Sequence, residues 1–351
     1  MLDVPVWVYL ATVAGFAILL SVDLYISSRN PHAIGIREAT YWVLFYVGLA
    51  VAFGIGVLVV AGGQYGAEFF AGYVVEYSLS VDNLFIFVII MTTFAVPPAH
   101  QHKVLLFGII LALVLRGLFI AAGAAAIERF TWVFYIFGAF LIFTAIQLAR
   151  HRNEEPELSK NPVLRLMERV LPTTQEYDGA KIVTRVDGKR VVTPLLIVMI
   201  AIGSTDILFA LDSIPAIFGI TEEPYLVFTA NAFALMGLRQ LYFLINGLLD
   251  RLVYLSVGLS VILGFIGVKL ILHALHENGI DVAELGSGPW QVLPEIGIGT
   301  SLAVIVVVLL VTVATSLAKV RRDPAAAKKL GAAPEAAEEL EQIPDDVRPK
   351  A

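Results

Sequence analysis

Four carboxylates stand in runs of residues that otherwise avoid charge. Glu76 and Asp82 lie in "EYSLSVDNLFIF" (76–87), and Asp206 and Asp212 in "STDILFALDSIPAIF" (204–218). Each second acid is followed by a small polar residue, Asn83 or Ser213. The available donors are therefore carboxylates, an amide and a hydroxyl, with no thiol, because the chain has no cysteine. Hard oxygen donors of this kind suit magnesium, calcium or manganese. Protons are the other possibility, since buried carboxylates can relay them. An Asp at the centre of a membrane helix costs about 2.5–3.5 kcal/mol. Four would cost roughly 10 kcal/mol if independent. Arg116, Arg239 and Lys269 are intramembrane cations that can balance this charge, yet three bases meet four acids.

The elements that hold these residues are set by composition. The 351 residues are 58% hydrophobic and 15% charged, with a mean hydropathy of +0.82. Soluble domains carry about 25% charge. Apolar stretches long enough to cross a bilayer as helix recur along the chain. Nine spans are expected, at about 6–28, 39–61, 68–94, 104–126, 131–149, 194–220, 225–248, 252–274 and 296–318. The fold class is all-α: a polytopic membrane helix bundle. The first span lacks a basic n-region and a small-residue cleavage site, so it reads as a membrane helix, not a leader. A net charge of −6, spread along the chain, gives no basis for nucleic-acid binding.

Basic residues set the expected orientation. With the N-terminus outside, Arg29, Arg37, Lys103, nine bases of the 150–192 loop, Arg251, Lys319, Arg321 and Arg322 fall inside. The outside then holds Glu68, Glu222, Glu223, Asp281, Glu284 and Glu295, with Arg129 its single base. The expected organisation is helices one to five over 1–149, a cytoplasmic loop over 150–192, helices six to nine over 193–318, and a tail over 319–351. Within the loop, "KIVTRVDGKRVVT" alternates around Asp187-Gly188, which predicts a β-hairpin. The Ala-, Glu- and Pro-rich tail lacks an apolar face and reads as disordered or loosely helical.

The chain also repeats itself. Glu76-x5-Asp82-Asn83 matches Asp206-x5-Asp212-Ser213, "LRGLFI" around Arg116 matches "LRQLYFL" around Arg239, and "AIQL" at Gln147 matches "GVKL" at Lys269. Spans three to five (about 68–149) thus match spans six to eight (about 194–275). An odd number of helices per copy inverts the second copy, giving a 3+3 inverted repeat of the kind that builds a transport site at its midplane. Inversion puts Glu76 at the depth of Asp212 and Asp82 at that of Asp206, the layers about 9 Å apart. Six residues turn a straight helix by about 120°, so the two acids of one motif do not share a face, whereas Glu76 and Asn83, or Asp206 and Ser213, do. Either the acids serve adjacent sites or the helices break between them, and Pro215 favours a break.

Other polar residues have plainer readings. Ser78, Ser80, Ser204 and Thr205 can satisfy backbone groups or add oxygen ligands. Asp23 and Asn231 are possible additional site members, and Asn231 and Asn246 are otherwise helix–helix hydrogen bonders. Glu68 reads as a solvated rim residue, and His100, His102, His273 and His276 as interfacial ones. No phosphate loop, metalloprotease motif or nucleophile elbow occurs, so no catalytic residue is assigned and the chain is not expected to be an enzyme.

"EYSLSVDNLFIF", "TDILFALDSIPAIF", "NAFALMGLRQLYFL" and "GFIGVKL" together resemble the TerC family of integral membrane proteins, Alx-like members included, over about Asp23 to Lys269. That family takes its name from tellurium resistance and lies within the lysine-exporter superfamily. The resemblance implies manganese(II) export across the bacterial inner membrane. It places the metal site on Glu76, Asp82, Asn83, Asp206, Asp212 and Ser213, with no permanently bound cofactor and with the lipid bilayer as partner. The expected function is thus a secondary transporter for divalent cations. The competing expectation is a membrane scaffold, assembly or tellurite-stress protein whose acids serve packing alone.

Overall fold

In lipid, backbone amides must be paired within their own segment, and the apolar runs accordingly form helices. The computed structural model describes residues 4–29, 36–130, 132–150, 173–174, 177–179, 181–186, 189–245, 252–277 and 296–323. The helices are α1 (Val6–Arg29), α2 (Ile36–Ala61), α3 (Gly63–Thr93), α4 (Pro98–Arg129), α5 (Val133–Arg150), α6 (Pro194–Phe218), α7 (Pro224–Met236), α8 (Leu238–Ile245), α9 (Leu255–Glu277) and α10 (Ile298–Arg322). Eight of them are long and apolar enough to cross a membrane. Proline opens α4, α6 and α7, where its fixed φ suits a first turn and its missing N–H costs nothing.

The expected seventh span, 225–248, is instead two helices, α7 and α8, parted at Gly237. Glycine is a poor residue for a helix interior, and together the two pieces still cover a membrane-length stretch. Pro215 does not break α6. The helix runs through it and ends three residues later, and α3 is likewise continuous past Glu76 and Asp82. Residues 319–322 of the expected tail continue α10 as helix; the tail beyond residue 323, Asn246 and most of the 150–192 loop lie outside the described residues.

Helices α3 and α6 are the most buried spans, at 59% and 61%, against 11% for α1 and 22% for α10. The first pair therefore forms the centre and the second the periphery. Trp7, Tyr25, Tyr41 and Trp132 are exposed at helix ends, where amphipathic rings favour the membrane–water interface.

Packing follows the repeat. Helix α3 packs on α7 and α4 on α6, while α5 packs most extensively on α9. Exchanging α3, α4 and α5 for α6, α7 and α9 turns the first contact into the second and leaves the third unchanged. The halves run in opposite directions. Ala71, Val75 and Leu79 of early α3 pack with Ala210, Ile214 and Ile217 of late α6. Leu84, Val88 and Met91 of late α3 pack with Leu195, Val198 and Ile202 of early α6. Between α5 and α9 the backbones themselves approach, since a Cβ on Gly138 would stand 2.8 Å from the carbonyl oxygen of Gly267. Small residues permit such contact in membranes.

The hairpin strands β1 (Val183–Val186) and β2 (Lys189–Val192) pair antiparallel, with Val186 opposite Lys189 and Arg185 opposite Arg190. That register leaves two residues, Asp187 and Gly188, for the turn; both lie outside the described residues. Thr193 donates its hydroxyl to the Lys181 carbonyl (2.7 Å), and Tyr177 donates to the carbonyl of Phe94 at the end of α3 (2.7 Å). One small element thus ties the start of α6 to the end of α3.

Candidate functional site

Arg116 of α4 is fully buried at the centre of the bundle. Its Nη1 donates to Oε1 of Glu76 and to the hydroxyl of Ser213 (3.3 Å), while Nη2 donates to Oδ1 of Asp206 (3.4 Å). Glu76, Asp206 and Ser213 are buried with it. Asp206 and Ser213 therefore share a face of α6, as their seven-residue separation predicts. The guanidinium bridges the two depth layers, joining the first acid of one repeat to the first acid of the other.

Two carboxyl groups face one guanidinium, and among the described residues no donor meets Oε2 of Glu76 or Oδ2 of Asp206. Among the same residues the buried hydroxyl of Ser80, one helical turn from Glu76, and the amide nitrogen of Asn231 on α7 have no partner either. Buried polar groups without partners are few in stable proteins. Three of these atoms are oxygens, two of them on carboxyl groups, and hard oxygen atoms are the kind that suit magnesium, calcium or manganese.

Asp212 turns toward α5 and accepts a hydrogen bond from Thr144 (3.2 Å). Asn83 is buried and Asp82 half-buried on α3. Among the described residues, no three His, Asp or Glu side chains converge as a ready-made metal cage. The two acids of the α6 motif serve adjacent positions, as an unbroken helix requires. Asp23 is buried and accepts from Nε2 of Gln240 on α8 (3.3 Å). Arg239 lies on α8, and its side chain lies outside what is described.

Lys269 lines a separate cavity of about 640 Å³ at the bundle end opposite the hairpin, together with Glu68, Glu222, Glu223, His273 and His276. Glu68 is not a solvated rim residue. It is 8% exposed, and it accepts from Thr221 (2.6 Å) and Gln64 (3.0 Å), because the loop after α6 folds over the start of α3. His273 meets Glu222 at 2.9 Å, and this hydrogen bond holds the Glu222 carboxyl below its ordinary range against the opposing effect of burial. Ser78, Ser204 and Thr205 bond back to carbonyls of their own helices. Thr144, Thr221 and Gln240 were not singled out by sequence. Each is a lone polar residue in or beside an apolar run, a signal shared with many residues that only back-bond.

Membrane-length helices packed as two opposed copies around a buried carboxylate–guanidinium centre define a polytopic α-helical membrane protein. Residues 61–324 match the family model of the integral membrane protein TerC family, and the chain belongs to that family. It is 50% identical over 315 residues to an uncharacterized membrane protein of Mycobacterium tuberculosis, covering 88% of this chain and 78% of the relative. It is 45% identical over 255 residues to the chloroplastic thylakoid membrane protein TERC of Arabidopsis thaliana (71% and 66%). It is 38% identical over 276 residues to the putative membrane-bound redox modulator Alx of Escherichia coli (76% and 86%). No solved structure matches the chain.

Proposed function

We propose that the chain is a secondary transporter, not an enzyme, that exports divalent cations, with manganese(II) as its substrate, across a bacterial cytoplasmic membrane. The observation that supports this reading is the pair of carboxyl groups around the single buried Arg116, with oxygens of Glu76, Ser80 and Asp206 lacking donors among the described residues. Arg116 acts as an internal stand-in for the ion. When the cation enters, the carboxylates replace part of its water shell and the guanidinium withdraws. When the cation leaves, Arg116 returns and keeps the acids from facing one another uncompensated. The inverted repeats, each contributing one acid, rock against each other to open the centre to either side. Asp82, Asn83 and Asp212 line the path at neighbouring levels, and proton uptake by a vacated carboxylate supplies the coupling. The termini are read as N-out and C-in from the distribution of bases. Thiol redox chemistry is unavailable to the chain itself, which has no cysteine.

The test is manganese(II) efflux from proteoliposomes, with calcium, magnesium and zinc as competitors. Glu76→Gln and Asp206→Asn should each abolish transport while the protein stays folded. Transport at the wild-type rate in both variants would overturn the reading in favour of a structural role for the acids.

A further inference from the structure

We propose that the β1–β2 hairpin is a docking element for anionic lipid headgroups of the bilayer in which the chain sits. Connectivity puts it at the surface, because only Thr193 separates β2 from Pro194, the first residue of membrane helix α6. Arg185 and Arg190 are directly opposite each other across the ladder. Like charges in that relation destabilise a hairpin. Both are exposed, and neither makes an ion pair with the described residues. Two arginines that leave the ladder from opposed positions on one face can together match the acceptor oxygens of a phosphate diester. Val183, two residues before Arg185 and therefore on the same face of β1, is 41% exposed. A water-facing hairpin gains nothing from such a residue, whereas an interfacial one buries it beside the headgroups. Basic side chains next to a membrane helix are drawn to anionic surfaces over about a Debye length. The occupant so defined is a phosphate-bearing anionic lipid.

The inference is independent of which ion, if any, is transported. Its structural consequence is that lipid charge acts on the element joining the ends of α3 and α6, the helices that carry Glu76 and Asp206.

Because the chain has no cysteine, Val183→Cys in the full chain gives a single site for an environment-sensitive fluorophore on the arginine face. The labelled protein is placed in nanodiscs of phosphatidylcholine alone or doped with phosphatidylglycerol. Doping should shift the emission to the blue, high salt should reverse the shift, and Arg185→Gln with Arg190→Gln should abolish it without altering thermal unfolding in neutral discs. Identical spectra in neutral and anionic discs would overturn the proposal. So would an equal response to inorganic phosphate in neutral discs, which would define a small-anion site. A response to deletion of residues 324–351 but not to lipid charge would also overturn it, making the chain's own acidic tail the occupant.

Discussion

Asp206 and Ser213 stand seven residues apart on α6 and both meet the guanidinium of Arg116, at 3.4 and 3.3 Å. Asp212, beside Ser213 in sequence, turns to Thr144 of α5 instead. Helical phase divides the acidic motif between two neighbours, and one buried cation holds the half that faces α4.

Removing that cation leaves two buried carboxylates without compensation. Arg116→Met should therefore lower stability by about 3–5 kcal/mol, read as a fall in thermal midpoint in detergent. Adding Glu76→Gln and Asp206→Asn to the same chain should recover most of the loss. A triple variant no more stable than the single one would show that Arg116 acts through packing, not charge.

The bond from Thr221 to Glu68 closes the loop after α6 over the start of α3. Hydrogen bonds to ionised groups contribute about 1.5–3 kcal/mol. Thr221→Val should cost an amount in that range, and it should raise hydrogen exchange in the 219–223 loop while leaving the hairpin unchanged. Exchange that rises equally at both ends of the bundle would contradict the assignment.

The close approach of α5 and α9 depends on the absence of a Cβ at two positions. Gly138→Ala would place a methyl 2.8 Å from the Gly267 carbonyl oxygen, and Gly267→Ala would place one 2.9 Å from that of Gly138. Backbone must then shift, so each substitution should destabilise by about 1–3 kcal/mol. Alanine at Gly56, which lies inside α2 with nothing within 4 Å, is the control and should hold or raise the melting temperature, because alanine suits a helix interior better than glycine.

Acid should weaken the Glu222–His273 contact at the cavity mouth. The folded Glu222 carboxyl lies below its ordinary value of 4.5. Its stabilising contribution is therefore fully present above that value and is lost as pH falls through the lower folded one. Glu222 is partly exposed, so the contribution should stay below about 1 kcal/mol. The difference in thermal midpoint between wild type and Glu222→Gln should be present at about pH 5 and vanish on further acidification. A difference that grows as pH falls below about 5 would reverse the assigned direction.

The sequence by itself determined the solvent, the helices and the repeat. Hydropathy over twenty-residue windows is a local property, and lipid leaves the backbone no alternative to helix. The matched motifs at Glu76 and Asp206 were legible because charge in an apolar run is conspicuous, and helical phase correctly separated Asp206 and Ser213 from Asp212. Which acid meets which base was decided only by tertiary structure. Arg116 and Arg239 occupy matching places in the repeats, and nothing local says that Arg116 bridges both halves. Lys269, two turns before the end of its helix, faces Glu68 and Glu222 in the cavity at the bundle end opposite the hairpin. Glu68 is buried because a loop folded 153 residues later covers it. Pro215 reads locally as a break, yet it sits so near the end of α6 that the helix runs through it. Periodicity fixes the face on which a side chain stands. Only the packing of the opposed repeats fixes what that face meets.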